Sequence, residues 1–132
     1  MLAAGTVETT RQEGAWVLTP RGEHDISTSP SLGEELERAF TTAAKVVVDL
    51  SEVEFLDSIT LRGLTHAQTL AEQHQGHEIV LVVPLHGFAR RIVMLTGIDE
   101  VVPTYLTRRG ALASVATATT GSGRDQPTRR QG

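Results

Sequence analysis

The chain has 132 residues and no cysteine. That absence excludes a disulfide framework, a zinc–thiolate centre and a cysteine nucleophile together. Aromatic residues are scarce, at 4% of the chain, which leaves little for stacking on bases. No apolar run approaches the ~18 residues needed to cross a bilayer. The opening MLAAGTVETTRQEG has neither the basic start nor the apolar stretch of a signal peptide. The expectation is a soluble, cytoplasmic protein. Also absent are the Gly-x-x-x-x-Gly-Lys-Ser/Thr phosphate loop, a Gly-x-Gly-x-x-Gly after a strand, HExxH and the Gly-x-Ser-x-Gly elbow. His24, His66, His74, His77 and His86 are the histidines, and none sits at i, i+4 spacing with a third ligand nearby. No metal, no cofactor and no enzymatic activity is expected.

The chain is long enough for one domain with a real core, and 39% of its residues are apolar. The net charge of −4 is unevenly spread. The last twelve residues hold Arg124, Arg129 and Arg130 against Asp125, so the remainder carries −6. A nucleic-acid binder needs the opposite sign to neutralise phosphates, so no direct contact with nucleic acid is expected.

The pattern along the chain alternates between two periods. Residues 6–11 and 15–19 read as strands around Glu13-Gly14, the second ended by Pro20. Trp16 and Leu18 fall on one face of it and Val17 on the other. Ser29-Pro30 reads as a helix cap and first turn, followed by Leu32, Leu36, Ala39 and Phe40 on one helical face. Residues 45–50 and 78–83 are β-branched runs without alternation, as in strands buried on both faces of a parallel sheet. Between them, 51–56 reads as a loop. A helix opens near Asp57-Ser58, with Leu61, Leu64, Ala67 and Ala71 inward, and closes at Gln75-Gly76.

A helix over 86–96 presents Phe88, Ile92 and Leu95 to the core and stops at Gly97. Residues 101–105 suit a short edge strand and 107–115 a last helix. From Ala116 the apolar period is lost, so a domain over 1–115 and a disordered tail over 116–132 are expected. The order β-β-α-β-α-β-α-β-α predicts an α/β fold, a mixed and mostly parallel sheet with helices packed mainly on one face.

One segment invites chemistry: Phe55-Leu56-Asp57-Ser58-Ile59-Thr60-Leu61. Asp57 or Ser58 can cap the helix, a contribution of ~1 kcal/mol. A phosphorylation switch is the sharper reading, because a phosphate adds nearly two negative charges where a helix N-terminus favours an anion. One segment can do both. Elsewhere, Arg90 and Met94 project from the 86–96 helix as ordinary surface or as the edge of a partner interface.

The Gly-Glu-x-Asp loop at 22–25, the run Val-Val-Val-Asp-Leu-Ser-x-Val-x-Phe-Leu-Asp-Ser at 46–58, Ile79–Pro84, Arg90–Val93 and Leu95–Ile98 together resemble the STAS domain family, and within it the bacterial anti-sigma factor antagonists. The resemblance covers about residues 5–115. It implies a non-enzymatic binding protein that regulates transcription indirectly, often in a stress response. Such a protein binds an ATP-binding anti-sigma factor, often also a serine kinase, and so frees a sigma factor. Phosphorylation switches it off and a metal-dependent phosphatase resets it. Ser58 matches the phosphoacceptor, with Thr60 as second choice, and Asp57 matches the acidic residue before it. Glu23, His24 and Asp25 match the loop flanking the partner surface, which would extend over Ile59, Thr60, Arg62, Arg90 and Met94. The family continues Asp-Ser-(Ser/Thr)-Gly-Leu where this chain has Ile59-Thr60, so a β-branched side chain is expected where a partner backbone comes close. The alternative implied is a STAS subunit without a switch, held in a larger signalling scaffold or lipid-transport complex.

Overall fold

The computed structural model describes residues 6–24, 35, 36, 38, 39 and 45–119. The strands are β1 (Thr6–Gln12), β2 (Ala15–His24), β3 (Lys45–Asp49), β4 (Val53–Leu56), β5 (Glu78–Val82) and β6 (Thr104–Tyr105). The helices whose bounds lie within the described residues are α1 (Ser58–Glu72), α2 (Phe88–Thr96) and α3 (Arg108–Thr119), with 3-10 turns at Leu50–Glu52 and Ile98–Glu100. The sheet runs β1-β2-β3-β5-β6, and β4 pairs with β2. Among the described residues only the β1–β2 hairpin is antiparallel; the other pairings are parallel. The hairpin turns at Glu13-Gly14, both with positive φ (49° and 84°), the requirement of a type I′ turn.

Two expectations about this sheet need correcting. Pro20 does not end β2, which continues to His24. Counting from the closing pair Gln12↔Ala15, Pro20 opposite Val7 falls on a pair that exchanges no hydrogen bonds. Its missing N–H therefore faces away from β1. On that side β2 changes neighbour, pairing with β3 through residues 16–18 and with β4 through 22–24. Segment 51–56 is also not a loop. A 3-10 turn lifts the chain from β3, and β4 then takes up the second half of β2, burying Val53 and Leu56.

The core forms on both sides of the sheet. Leu18, Val46, Val48, Ile79, Leu81 and Val83 pack against Leu64, Ala67 and Ala71 of α1 and Ala89 and Val93 of α2. Val17, Val47, Val80 and Val82 pack against Ala111, Leu112 and Val115 of α3. The alternation expected of Leu18 and Val17 is observed, and Trp16 packs half-buried on the first face beneath the Arg11 guanidinium. Burial of each such Val, Leu or Ile side chain contributes about 1.5–3 kcal/mol relative to exposure. Leu36 and Ala39 are helical and buried, as their spacing predicts; Leu32 and Phe40 lie outside the described residues. The α3 helix reaches Thr119, so the boundary expected at 115 falls inside it.

A long-range polar contact holds α3 to the sheet. Arg108 donates through Nε to Asp49 Oδ2 at 3.0 Å and through Nη2 to the buried Thr19 hydroxyl at 2.9 Å. Asp49 Oδ1 accepts from the Ser51 N–H and hydroxyl at 3.0 and 2.7 Å. The buried carboxylate is thus bonded on both oxygens, which burial of a charge requires. Arg108→Ala leaves only the Ser51 bonds and should lower unfolding free energy by about 1–3 kcal/mol in a urea titration. A loss below about 0.5 kcal/mol, the level of an ordinary surface substitution, would show the contact to be dispensable.

Candidate functional site

Parallel strands end at the same edge of a sheet, and here that brings together two of the segments singled out by sequence. Glu23 lies in register with Phe55 and His24 with Leu56. The end of β2 therefore leaves the sheet beside the end of β4, which runs through Asp57 into α1. Glu23 and His24 are placed by their backbone; Asp25 lies outside the described residues.

Asp57 is the N-cap of α1. Its Oδ1 accepts from the Thr60 N–H at 2.9 Å and from the Thr60 hydroxyl at 2.8 Å, and its carbonyl accepts from the Leu61 N–H at 3.1 Å. The capping is therefore done by Asp57, and Ser58 is the first helical residue. Ser58 is exposed, and its hydroxyl makes no hydrogen bond among the described residues. The helix turns Thr60, Leu64, Ala67 and Ala71 inward. Ser58, Ile59 and Arg62 are on the solvent side, Ile59 at 48% exposure.

Thr60 is the clearest departure from expectation. Its side chain is not presented at the surface; it is 4% exposed and bonded to Asp57. Burial also weighs against Thr60 as a phosphoacceptor or contact residue. Arg90 is likewise committed: it donates to the Pro84 and Val83 carbonyls at 3.0 and 2.8 Å, tying α2 to the end of β5. Met94, at 74% exposure, projects freely.

The α2 helix is turned differently from its apolar period. Phe88, Ile92 and Leu95 were expected inward, but the buried pair is Ala89 and Val93, and Leu95 is 81% exposed. The small Ala89 lets the helix sit close to the sheet. After the left-handed Gly97 (φ 72°), Ile98 enters the core in place of Leu95. Phe88 is half-buried against the same core cluster, as its position predicts, and also meets Phe55 of β4, ring centroids 5.7 Å apart. Phe55 remains 40% exposed, so an apolar contact lies beside the strand that leads to Ser58. Sequence reasoning missed Phe55 as an exposed residue because 51–56 was read as a loop.

Among the described residues no three His, Asp or Glu side chains are grouped to hold a metal. No described helix is long and apolar enough to cross a membrane. The His74 and His77 rings lie 5.3 Å apart at the end of α1, away from its Ser58 end.

A family model described as the STAS domain matches residues 6–111. The anti-sigma-F factor antagonist RsfB of Mycobacterium tuberculosis (strain CDC 1551 / Oshkosh) is 31% identical over 112 residues, covering 83% of this chain and 88% of that protein. The crystal structure of an anti-sigma factor antagonist from Mycobacterium paratuberculosis superposes with a TM-score of 0.70 at 31% identity, covering 84% of this chain and 93% of that one. Bacillus SpoIIAA in its phosphorylated form shares the fold, with a TM-score of 0.62 at 16% identity over 83% of this chain and 99% of that one.

The capping geometry separates two neighbours. Asp57→Ala removes both bonds from Thr60 and should cost ~1 kcal/mol of stability, whereas Ser58→Ala should be near neutral. Chemical denaturation of the two variants checks this, and the opposite ranking would make Ser58 the cap.

Proposed function

Because the chain belongs to the STAS domain family, among the anti-sigma factor antagonists, we propose that it binds an anti-sigma factor of the ATP-binding kinase type and releases a sigma factor, and that phosphorylation of Ser58 turns this binding off. The observation that carries the reading is the division of labour at the start of α1. Asp57 caps the helix, so the Ser58 hydroxyl is exposed and, among the described residues, uncommitted at the edge where β2 and β4 end. A kinase needs such a hydroxyl, and a modification there leaves the cap and the core in place.

The contact surface on this reading comprises Ser58, Ile59 and Arg62 on α1, the ends of β2 and β4 with Glu23, His24 and the following Asp25, and Met94 on α2. Asp57 supports it from beneath. The acidic domain favours a basic partner face, chiefly through the rate of encounter. A phosphate brings close to two negative charges into that contact. A metal-dependent serine phosphatase would reset the switch. The chain itself performs no chemistry in this scheme, which places it in the cytoplasm with its partner.

Affinity capture from native extract tests the proposal, with wild type, Ser58→Ala and Ser58→Asp as baits and mass spectrometry as readout. An ATP-binding anti-sigma factor should be retained by wild type and Ser58→Ala and lost from Ser58→Asp. Recovery of one large assembly by all three baits would overturn the switch and favour a constitutive STAS subunit.

A further inference from the structure

We propose that Thr60 is a positioning residue of the switch, which keeps a phosphate on Ser58 out of the helix N-terminus and in solvent. The inference rests on Ser58 as the acceptor and concerns where the added charge goes. The first N–H groups of α1 have no partner within the helix. They attract anions, and a phosphate on Ser58 would be within one residue of them. Asp57 already holds one of these donors, the Thr60 N–H. Two anions adjacent in sequence would thus compete for one set of donors.

The Thr60 hydroxyl biases that competition. It gives the same Asp57 oxygen a second bond, at 2.8 Å, of the charge-assisted kind that is about twice as strong as a neutral one. To surrender the Thr60 N–H, Asp57 must give up both bonds together. A glycine at this position would offer only the N–H. Thr60 is also buried with Leu64 on the inward face of the helix, so its bond to Asp57 is screened from water. With the cap held, the phosphate remains on the solvent side with Ser58 and Ile59. A partner meets it there as a bare dianion, and a phosphatase can reach it.

The test installs phosphoserine at position 58 by genetic encoding, in wild type, Thr60→Val and Thr60→Ser. The readouts are the ³¹P titration of the phosphate and the amide resonance of residue 60. Asp57, Arg62 and the neighbouring Glu23 and His24 are present in every variant, so differences between variants isolate the hydroxyl. In wild type and Thr60→Ser the phosphate should titrate near its ordinary second pKa of about 6. The residue 60 amide should match that of the unmodified protein. In Thr60→Val the phosphate should titrate lower and the residue 60 amide should move on phosphorylation, as the phosphate takes the helix donors. A wild-type phosphate that titrates low with a displaced Thr60 amide overturns the proposal, as does a Thr60→Val protein indistinguishable from wild type. Thr60→Ala substitutes should Thr60→Val fail to fold, with the same outcomes. Because the phosphate is built in, the result does not depend on any kinase. Failure of the Ser58 switch itself would appear in partner capture instead.

Discussion

Val46, Val47 and Val48 are consecutive, point alternately to opposite faces of the sheet, and are all fully buried. Ile79, Val80 and Leu81 repeat the arrangement in the paired strand. Strands of this kind need cover on both sides, and the remaining elements are placed by that need. The α1 and α2 helices cover one face and α3 the other. The α3 cover is smaller, built from Ala111, Leu112, Val115 and the flanking Tyr105. Its attachment is reinforced by Arg108, which reaches Asp49 at the very end of β3. Asp49 is thus tied to α3 by one oxygen and to the 3-10 turn by the other.

That double tie has a consequence for the site. The turn after Asp49 leads into β4, and β4 leads into Asp57 and α1. Every parallel strand of the sheet delivers its chain to the same edge, so the ends of β2 and β4 meet there without any special device. The first turn of α1 is then fixed from below by Thr60 and from the strand side by the Asp57 cap. Rigid support on both sides leaves Ser58 and Ile59 as the side chains presented outward. A small domain can therefore accept a bulky charged group at this point without disturbing its core.

Much of this was legible in sequence because it is local. The two β-branched runs gave β3 and β5, and Leu64, Ala67 and Ala71 gave the buried face of α1, with Leu61 half-buried at its edge. The Asp-Ser junction gave the start of that helix, though not which residue caps it. What was missed depends on partners far along the chain. Pro20 looked like a stop because a lone strand gives no hint that its neighbour changes there. β4 is four residues long, too short for its own period to show. The Asp49–Arg108 contact joins residues 59 apart, and no local pattern announces it. The α2 helix misled for a different reason. Its large apolar residues have the right period, but the helix is turned so that Ala89 and Val93 go inward, Phe88 packs at the edge of the core and Leu95 goes out. Thr60 was read from a motif position alone, and its inward orientation follows from its sharing a helical face with Leu64 and Ala67.

The strength of a phosphorylation switch at this site depends on where in the contact Ser58 falls. A charge added at a hydrated rim is worth about 0–1 kcal/mol, less than a tenfold change in affinity. A charge forced into a desolvated contact without a partner costs several kcal/mol, enough for a hundredfold change or more. An on–off response therefore requires water to be excluded around Ser58 in the complex. Asp57 cannot bring this about, since it is a polar group already committed to the helix. Ile59 can. It is the next residue, it is half-exposed in the free protein, and its burial against a partner is favourable only if water leaves. On the proposed switch, the same apolar contact that contributes affinity when Ser58 is bare would make the phosphate costly when it is added. On that proposal, Ile59 and Thr60 would accordingly divide the work by orientation, the outward residue setting how much the charge is felt and the inward one holding the turn that presents it.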